Sequence, residues 1–295
     1  MFQLIEIKGK RIFRGLEEKL LGQEIIAKSD NSSPDFLIVG AAKSGTTSLF
    51  QYLAQHPEII PSREKELLYF SVNQEKGLRW YLSNFPEKRE KMESLTFEAS
   101  PSYMYYPKGL ERIAKLFPRV KLIIILREPI SRSYSQWAFH TSSNFVKERP
   151  YAREYRSFAD SILAEIKNPS KTGAYFQYLN RSTYSVHLKK IYDLFPQERV
   201  LILSFEEFKA DPYISLNKVT DFLGIRSIYQ GFEKSEEKVE ELLQTKDKSN
   251  NNTLKVYNSN HYNVSIDAET LQFLRDYFKP FNEELGRLTG QEFNW

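Results

Sequence analysis

The sequence predicts a three-layer α/β domain, with a central, mostly parallel sheet flanked by helices. Three observations carry this expectation. The runs DFLIVG (35–40), KLIIILR (121–127) and RVLILSF (199–205) are rich in Ile, Leu and Val and lack polar alternation. That is how a strand covered on both faces reads. Segments of helical spacing lie around them, at 46–56, 108–117, 129–139, 155–167, 181–194 and 212–224. Such alternation of strand and helix is the pattern of layered α/β domains. The third is bulk: 295 residues, 41% of them hydrophobic, are enough to bury a proper core.

Taken in order, residues 1–33 read as a charged, partly helical extension ending in the linker-like SDNSSPD. Residues 34–295 are then the domain proper. LTFEAS (95–100) is a fourth candidate strand. Residues 270–290 carry helical spacing, with Pro280 expected to break or kink the helix. The stretch 231–263 is polar and asparagine-rich and is expected to be a loop. A loop of that length in a compact domain is a lid, a binding loop or disorder.

Composition narrows the chemistry. Cysteine is absent, so disulfides and thiolate metal sites are excluded, which fits a reducing cytoplasm. His56, His140, His187 and His261 show no metal-ligand spacing, and no metal is expected. The net charge of +4 is mild; it suits an anionic ligand and does not call for nucleic acid. No apolar run approaches the ~18 residues of a membrane span. The N-terminus lacks the pattern of a signal peptide. The expectation is a cytoplasmic protein without stable membrane insertion.

The chemistry concentrates in FLIVGAAKSGTTSLFQYLAQHP (36–57). A buried strand stops at Gly40, where the chain can turn sharply. Ala41, Ala42 and Gly45 keep the turn free of bulk, so backbone N–H groups can approach an anion. Thr46, Thr47 and Ser48 open a helix whose N-terminus favours negative charge. Lys43 adds a point charge. The Gly40-x4-Gly45 spacing matches a nucleotide-triphosphate loop, yet position 46 is Thr where that loop requires Lys. The strand 121–126 ends in Arg127 and not in a carboxylate, so a magnesium nucleotide would lack its acidic ligand.

KLIIILREPISRSYSQWAFH (121–140) supplies a second anion site. Arg127 stands at the carboxyl end of a strand, on the rim where open α/β sheets bind ligands. Ser135 lies eight residues on, about two turns into the following helix. An arginine fork with a serine hydroxyl suits a terminal phosphate; an ion pair with Glu128 or another carboxylate is the structural alternative. Arg132 is expected at the solvent or in a salt bridge. Two anion sites on one rim suggest a nucleotide with two separate phosphate groups.

Both motifs resemble those of sulfotransferases that use 3′-phosphoadenosine 5′-phosphosulfate (PAPS). The likeness is nearest to heparan sulfate 3-O- and N-sulfotransferases and their bacterial relatives. It continues through NRSTYSVHLKKIYDLFPQERVLILSFEEFKADP (180–212) and DYFKPFNEELGRLTGQEFNW (276–295). The resemblance implies that Lys43, Ser44, Gly45, Thr46, Thr47 and Ser48 hold the 5′-phosphosulfate. It implies that Arg127 and Ser135 hold the 3′-phosphate, and that Lys255 is the nearest equivalent of a late cofactor-loop cation. Glu66 in REKELLYF (63–70) becomes the general base, with Glu64 the competing choice, and Lys43 the group that stabilises the leaving phosphate.

The chain departs from that family in places. Leu68 stands where some heparan enzymes have histidine, and Ala99 where some have lysine. Neither the disulfide nor the membrane anchor of the Golgi members is expected in it. These departures favour a small-molecule or lipid acceptor, with a glycan or natural product still open. Two other functions remain: a P-loop nucleotide kinase, and a non-catalytic binder of 3′,5′-nucleotides.

Overall fold

The computed structural model describes residues 33–85, 94–141, 147, 149–229 and 266–295. The expected extension therefore lies outside the described residues, except for Ser33, and so does the whole loop expected at 231–263.

Five strands form one sheet: β1 (Phe36–Gly40), β2 (Ile59–Pro61), β3 (Leu95–Ala99), β4 (Lys121–Leu126) and β5 (Val200–Ser204). Their order is β2-β3-β1-β4-β5, and every neighbouring pair is parallel. The four expected strands are all present. The edge strand β2 was not expected, because three residues ending in proline give little pattern; an edge is where a proline, having no N–H to donate, is tolerated.

The apolar runs are continuous because both faces are covered. Leu37, Val39, Leu122 and Ile124 enter one core with Ile113, Leu188 and Leu285. These three come from the helices α3 (Pro107–Leu116), α6 (Tyr184–Tyr192) and α9 (Ala268–Thr289). Phe36, Ile38, Ile123 and Ile125 enter the other core with Leu49 and Leu216. Those two belong to α1 (Thr46–Leu53) and α8 (Pro212–Leu223). The short helices α2 (Leu78–Leu82) and α7 (Phe205–Ala210) lie between β2 and β3 and directly after β5. A third apolar cluster joins α4 (Pro129–Thr141), α5 (Phe158–Lys167) and α9.

Pro280 does not break its helix. The chain stays helical from Ala268 to Thr289, with Pro280 inside and its ring on the exposed side. Leu274 and Phe278 before it, and Leu285 after it, are buried in two different cores. This anchoring on both sides outweighs the one hydrogen bond that proline removes.

β1 lies at the centre of the sheet with β4 beside it. The helices that follow these two strands pack on different parts of the domain, α1 against the second core and α4 against the third. The carboxyl ends of β1 and β4 thus form the crevice at which open α/β sheets bind ligands.

Candidate active site

Three segments meet at that rim. The first is the turn from β1 into α1. A Cβ on Gly40 would meet the Met104 sulfur at 2.6 Å, so only glycine lets the strand pass under the turn that follows β3. Gly45 caps α1 in the left-handed region at φ 87° with no side-chain cap, and the first turn carries no acidic residue. The N–H groups of that first turn have no acceptor within the helix. Ser44 is fully buried, and its hydroxyl bonds to nothing. An uncapped helix start and an orphaned hydroxyl in a small-residue turn fit an anion. Thr46 and Ser48 are buried at the helix start and Thr47 is half-buried.

Lys43 also has a left-handed backbone, at φ 73°. Its ammonium lies 4.0 Å from the centre of the Phe139 ring on α4. Burial lowers its pKa to about 8; the Arg127 charge pushes the same way, and Glu66 opposes. An ammonium held in this way is poorly satisfied and ready to meet an anion.

The second segment follows β4. Arg127 Nη1 donates to the Lys43 carbonyl at 3.2 Å, and the guanidinium lies 4.9 Å from the Phe205 ring centre. Burial lowers the pKa of Arg127. Glu128 does not pair with it. Its carboxylate accepts the N–H groups of Ile130 and Ser131 at 2.8 and 2.6 Å, capping α4. Arg127 forms no ion pair among the described residues, so its remaining donors are available to a phosphate. Ser135 is buried two turns along α4.

The third segment carries Glu66. Its carboxylate is 49% exposed and pairs with Lys65 at 2.6 Å. Its backbone is left-handed (φ 64°), as is that of Leu68 (φ 54°). Leu67, Tyr69 and Phe70 are buried in the core, which holds the turn in place. The three non-glycine residues with left-handed backbones, Lys43, Glu66 and Leu68, all belong to this rim among the described residues. Such conformations persist where surrounding packing imposes them, as at functional sites. Glu64, the competing candidate, is an exposed residue whose carbonyl accepts the Ser62 hydroxyl.

A family model for the sulfotransferase domain matches residues 33–278. The chain belongs to the sulfotransferase family. This sulfotransferase is similar to mouse heparan sulfate glucosamine 3-O-sulfotransferase 3A1, with 26% identity over 273 residues, 92% of the chain and 66% of that relative. Mouse bifunctional heparan sulfate N-deacetylase/N-sulfotransferase 4 is 28% identical over 88% of the chain and 30% of its own length. The chain thus spans only part of these curated relatives. Among solved structures, a sulfotransferase from Alicyclobacillus acidocaldarius superposes with a TM-score of 0.68 at 25% identity, covering 88% of this chain and 97% of that one. The five-stranded parallel sheet with its phosphate-loop turn is the fold of that family. No helix among the described residues is long and apolar enough to cross a membrane.

In this sulfotransferase the site residues read from sequence fall on the three rim segments, except Lys255, which lies outside the described residues. Arg132 corrects an expectation. It is fully buried, away from solvent, and in no salt bridge among the described residues. It donates to the Ser182 hydroxyl, to Gln136 Oε1 and to the Tyr178 carbonyl. Its position on α4 faces the turn before α6, and neutral acceptors from that turn and from Gln136 on α4 satisfy it. His140, on the same helix, is buried, and its Nδ1 pairs with the Ala152 carbonyl at 3.0 Å. Burial holds its pKa at about 4, so the ring is neutral.

Sequence reasoning missed two groups. Glu98 is completely buried on β3 beneath the Glu66 turn. A single carboxylate in a short apolar strand gives little warning. Arg181, in the turn before α6, lies 4.9 Å from the Tyr105 ring centre. Its Nε and the Tyr105 hydroxyl are both buried without a partner. Only the tertiary arrangement brings these two turns together.

Proposed function

We propose that the chain transfers the sulfuryl group of PAPS to a hydroxyl or amine of a glycan, lipid or small-molecule acceptor. The observation that carries this is the pairing of two anion sites on adjacent strand ends. The Lys43 turn and Arg127 are tied together by the 3.2 Å hydrogen bond from the guanidinium to the Lys43 carbonyl.

The residues fit the donor. Ser44, Gly45, Thr46, Thr47 and Ser48 with the α1 N-terminus would hold the 5′-phosphosulfate, and Arg127 with Ser135 the 3′-phosphate; Lys255 is carried as a further cofactor contact. When bound, PAPS supplies an activated sulfuryl group with a good phosphate leaving group. The protein's share is positioning and charge stabilisation. Lys43 offers its ammonium to the leaving oxygen; its left-handed backbone turns the side chain across the rim and not along α1. Glu66, half-exposed on the same rim, accepts the acceptor's proton as general base. That role is typically worth about 10²–10⁴-fold. No step assigned to these residues calls for a metal.

Arg181 refines the acceptor. Burial lowers its pKa and the nearby Arg132 adds to this, while Tyr105, Tyr175 and Glu165 oppose. Among the described residues it has no ion pair. A half-buried guanidinium without a counter-charge is costly, and a carboxylate or sulfate on the acceptor would satisfy it and the Tyr105 hydroxyl together. This supports an acidic acceptor, in line with the heparan-sulfate relatives, even though Ala99 offers no charge.

Incubation with isotopically labelled PAPS and a cell extract, followed by mass spectrometry of labelled products, tests the reading. Label in an acidic glycan or metabolite supports it. Phosphoryl transfer from ATP and Mg²⁺ without PAPS dependence would replace it with a nucleotide kinase. Tight binding of 3′,5′-diphosphate without transfer would leave a non-catalytic binder.

A further inference from the structure

Glu98 has no exposed surface, and hydroxyls take both its oxygens. Ser100 donates to Oε2 at 2.7 Å and Tyr103 to Oε1 at 2.9 Å. Tyr81 on α2 is also fully buried; its hydroxyl approaches Glu98 from just outside full hydrogen-bond geometry and favours the ionised carboxylate. The Leu67 amide favours the ionised form, and Tyr69 stacks behind Tyr81 at 4.9 Å. No cation among the described residues pairs with Glu98.

Ser100 faces two ways. Its hydroxyl proton goes to Glu98, and its oxygen accepts the Leu68 N–H at 3.0 Å. One residue earlier on the β3 side and two earlier in the turn, the Glu66 N–H donates to the Ala99 carbonyl at 3.0 Å. The left-handed turn that presents Glu66 is therefore fastened to the end of β3 at consecutive residues. The Leu68 carbonyl accepts the N–H groups of Ser71, Val72 and Asn73, and Asn73 Nδ2 donates to the Leu67 carbonyl at 2.8 Å. The turn has no slack on its far side.

We propose that Glu98 is a positioning residue: through Ser100 it fixes the left-handed turn at Glu66–Leu68, and this hold tightens when Glu98 releases its proton to solvent. The inference rests on the reading of Glu66 as the base. Ionised Glu98 can only accept, so the Ser100 proton is committed to it and the Ser100 oxygen is free for Leu68. Protonated Glu98 is itself a donor. When its proton is directed at Ser100, it takes the oxygen's second lone pair and turns the Ser100 proton away, which leaves that proton without an acceptor in the core and weakens the bond from Leu68. The exchange falls at working pH because burial raises the Glu98 pKa to about 7, with the hydroxyl bonds limiting the rise.

The test is amide hydrogen exchange on the full chain from pH 6 to pH 8, corrected for intrinsic rates, for wild type, Glu98→Gln and Ser100→Ala. Protection of the Leu67–Leu68 amides, taken relative to that of the β4 amides, is expected to rise about tenfold with pH in the wild type and to stay flat in both variants. A flat wild-type profile, or a wild-type-like rise in Glu98→Gln, overturns the proposal. If Glu98→Gln does not fold, Ser100→Ala decides alone, and a retained rise there overturns it. Turnover of labelled PAPS is followed in parallel, with kcat expected to fall about tenfold in Glu98→Gln at unchanged donor KM. Should Glu66→Gln retain full turnover, the base reading fails, while the exchange data still decide whether Glu98 holds the turn.

Discussion

Arg127 and Lys43 are joined through the backbone: a guanidinium at the end of β4 donates to the carbonyl of the lysine that closes the turn after β1. The residue expected at one phosphate thus braces the loop expected at the other. Arg127→Ala should weaken both halves of the donor site together. Losing a charged hydrogen-bond group is worth about 1.5–3 kcal/mol, or about 10–100-fold in affinity for 3′,5′-diphosphate. Titration calorimetry would measure it. Arg127→Lys should recover little, because an ammonium cannot reach phosphate and carbonyl as a planar fork does. Full affinity in Arg127→Ala would remove Arg127 from the site.

Lys43 should make donor binding pH-dependent. Its ammonium titrates at about 8 in the free protein, and only the protonated form attracts an anion. Affinity for 3′,5′-diphosphate should therefore fall as pH rises through about 8, and bound anion should shift that midpoint upward. Lys43→Met should flatten the profile and lower kcat about 10²–10³-fold, the usual effect of removing a group that stabilises developing charge. An unchanged profile in the variant would assign the titration elsewhere.

Glu66→Gln keeps the shape and hydrogen-bonding reach of the side chain and removes its basicity. Turnover should drop about 10²–10⁴-fold with donor affinity unchanged. Turnover within a few-fold of the parent would transfer the base to another group, with Glu64 first in line.

Arg181 should discriminate acceptors by charge. Arg181→Met is expected to raise KM about tenfold or more for an acceptor bearing a carboxylate or sulfate, and to change little for its neutral counterpart, as loss of a charged hydrogen-bond partner implies. Equal effects on both would make Arg181 a packing residue.

Glu98 links stability to pH. Its native pKa is raised from 4.5 to about 7 by burial. Both native and unfolded chains hold the proton below about 4.5. Between there and about 7 the unfolded chain has released it and the native chain has not, so the stabilising contribution is lost as pH rises through the native value. Relative to Glu98→Gln, the wild type should lose about 2 kcal/mol between pH 5 and pH 8 in denaturant titrations. A constant difference would show that the native carboxylate titrates normally.

Much of this was legible in the chain itself. The apolar runs at 35–40, 121–127 and 199–205 announced doubly covered strands, since only strands buried on both faces can be apolar at consecutive positions. The small residues around Lys43 and the Arg127–Ser135 spacing marked the two segments that meet at the ends of β1 and β4, because each segment follows directly on its own apolar strand. Distant partners were not legible. Arg132 is satisfied by Ser182 and Tyr178, about fifty residues away, and so it read as a surface arginine. Glu98 became significant only when the end of β3 met the turn at Glu66–Leu68. Residue type and spacing set what a segment can do locally. Whether a charge is buried, and which hydroxyl or carbonyl then satisfies it, depends on which segments the sheet order brings side by side.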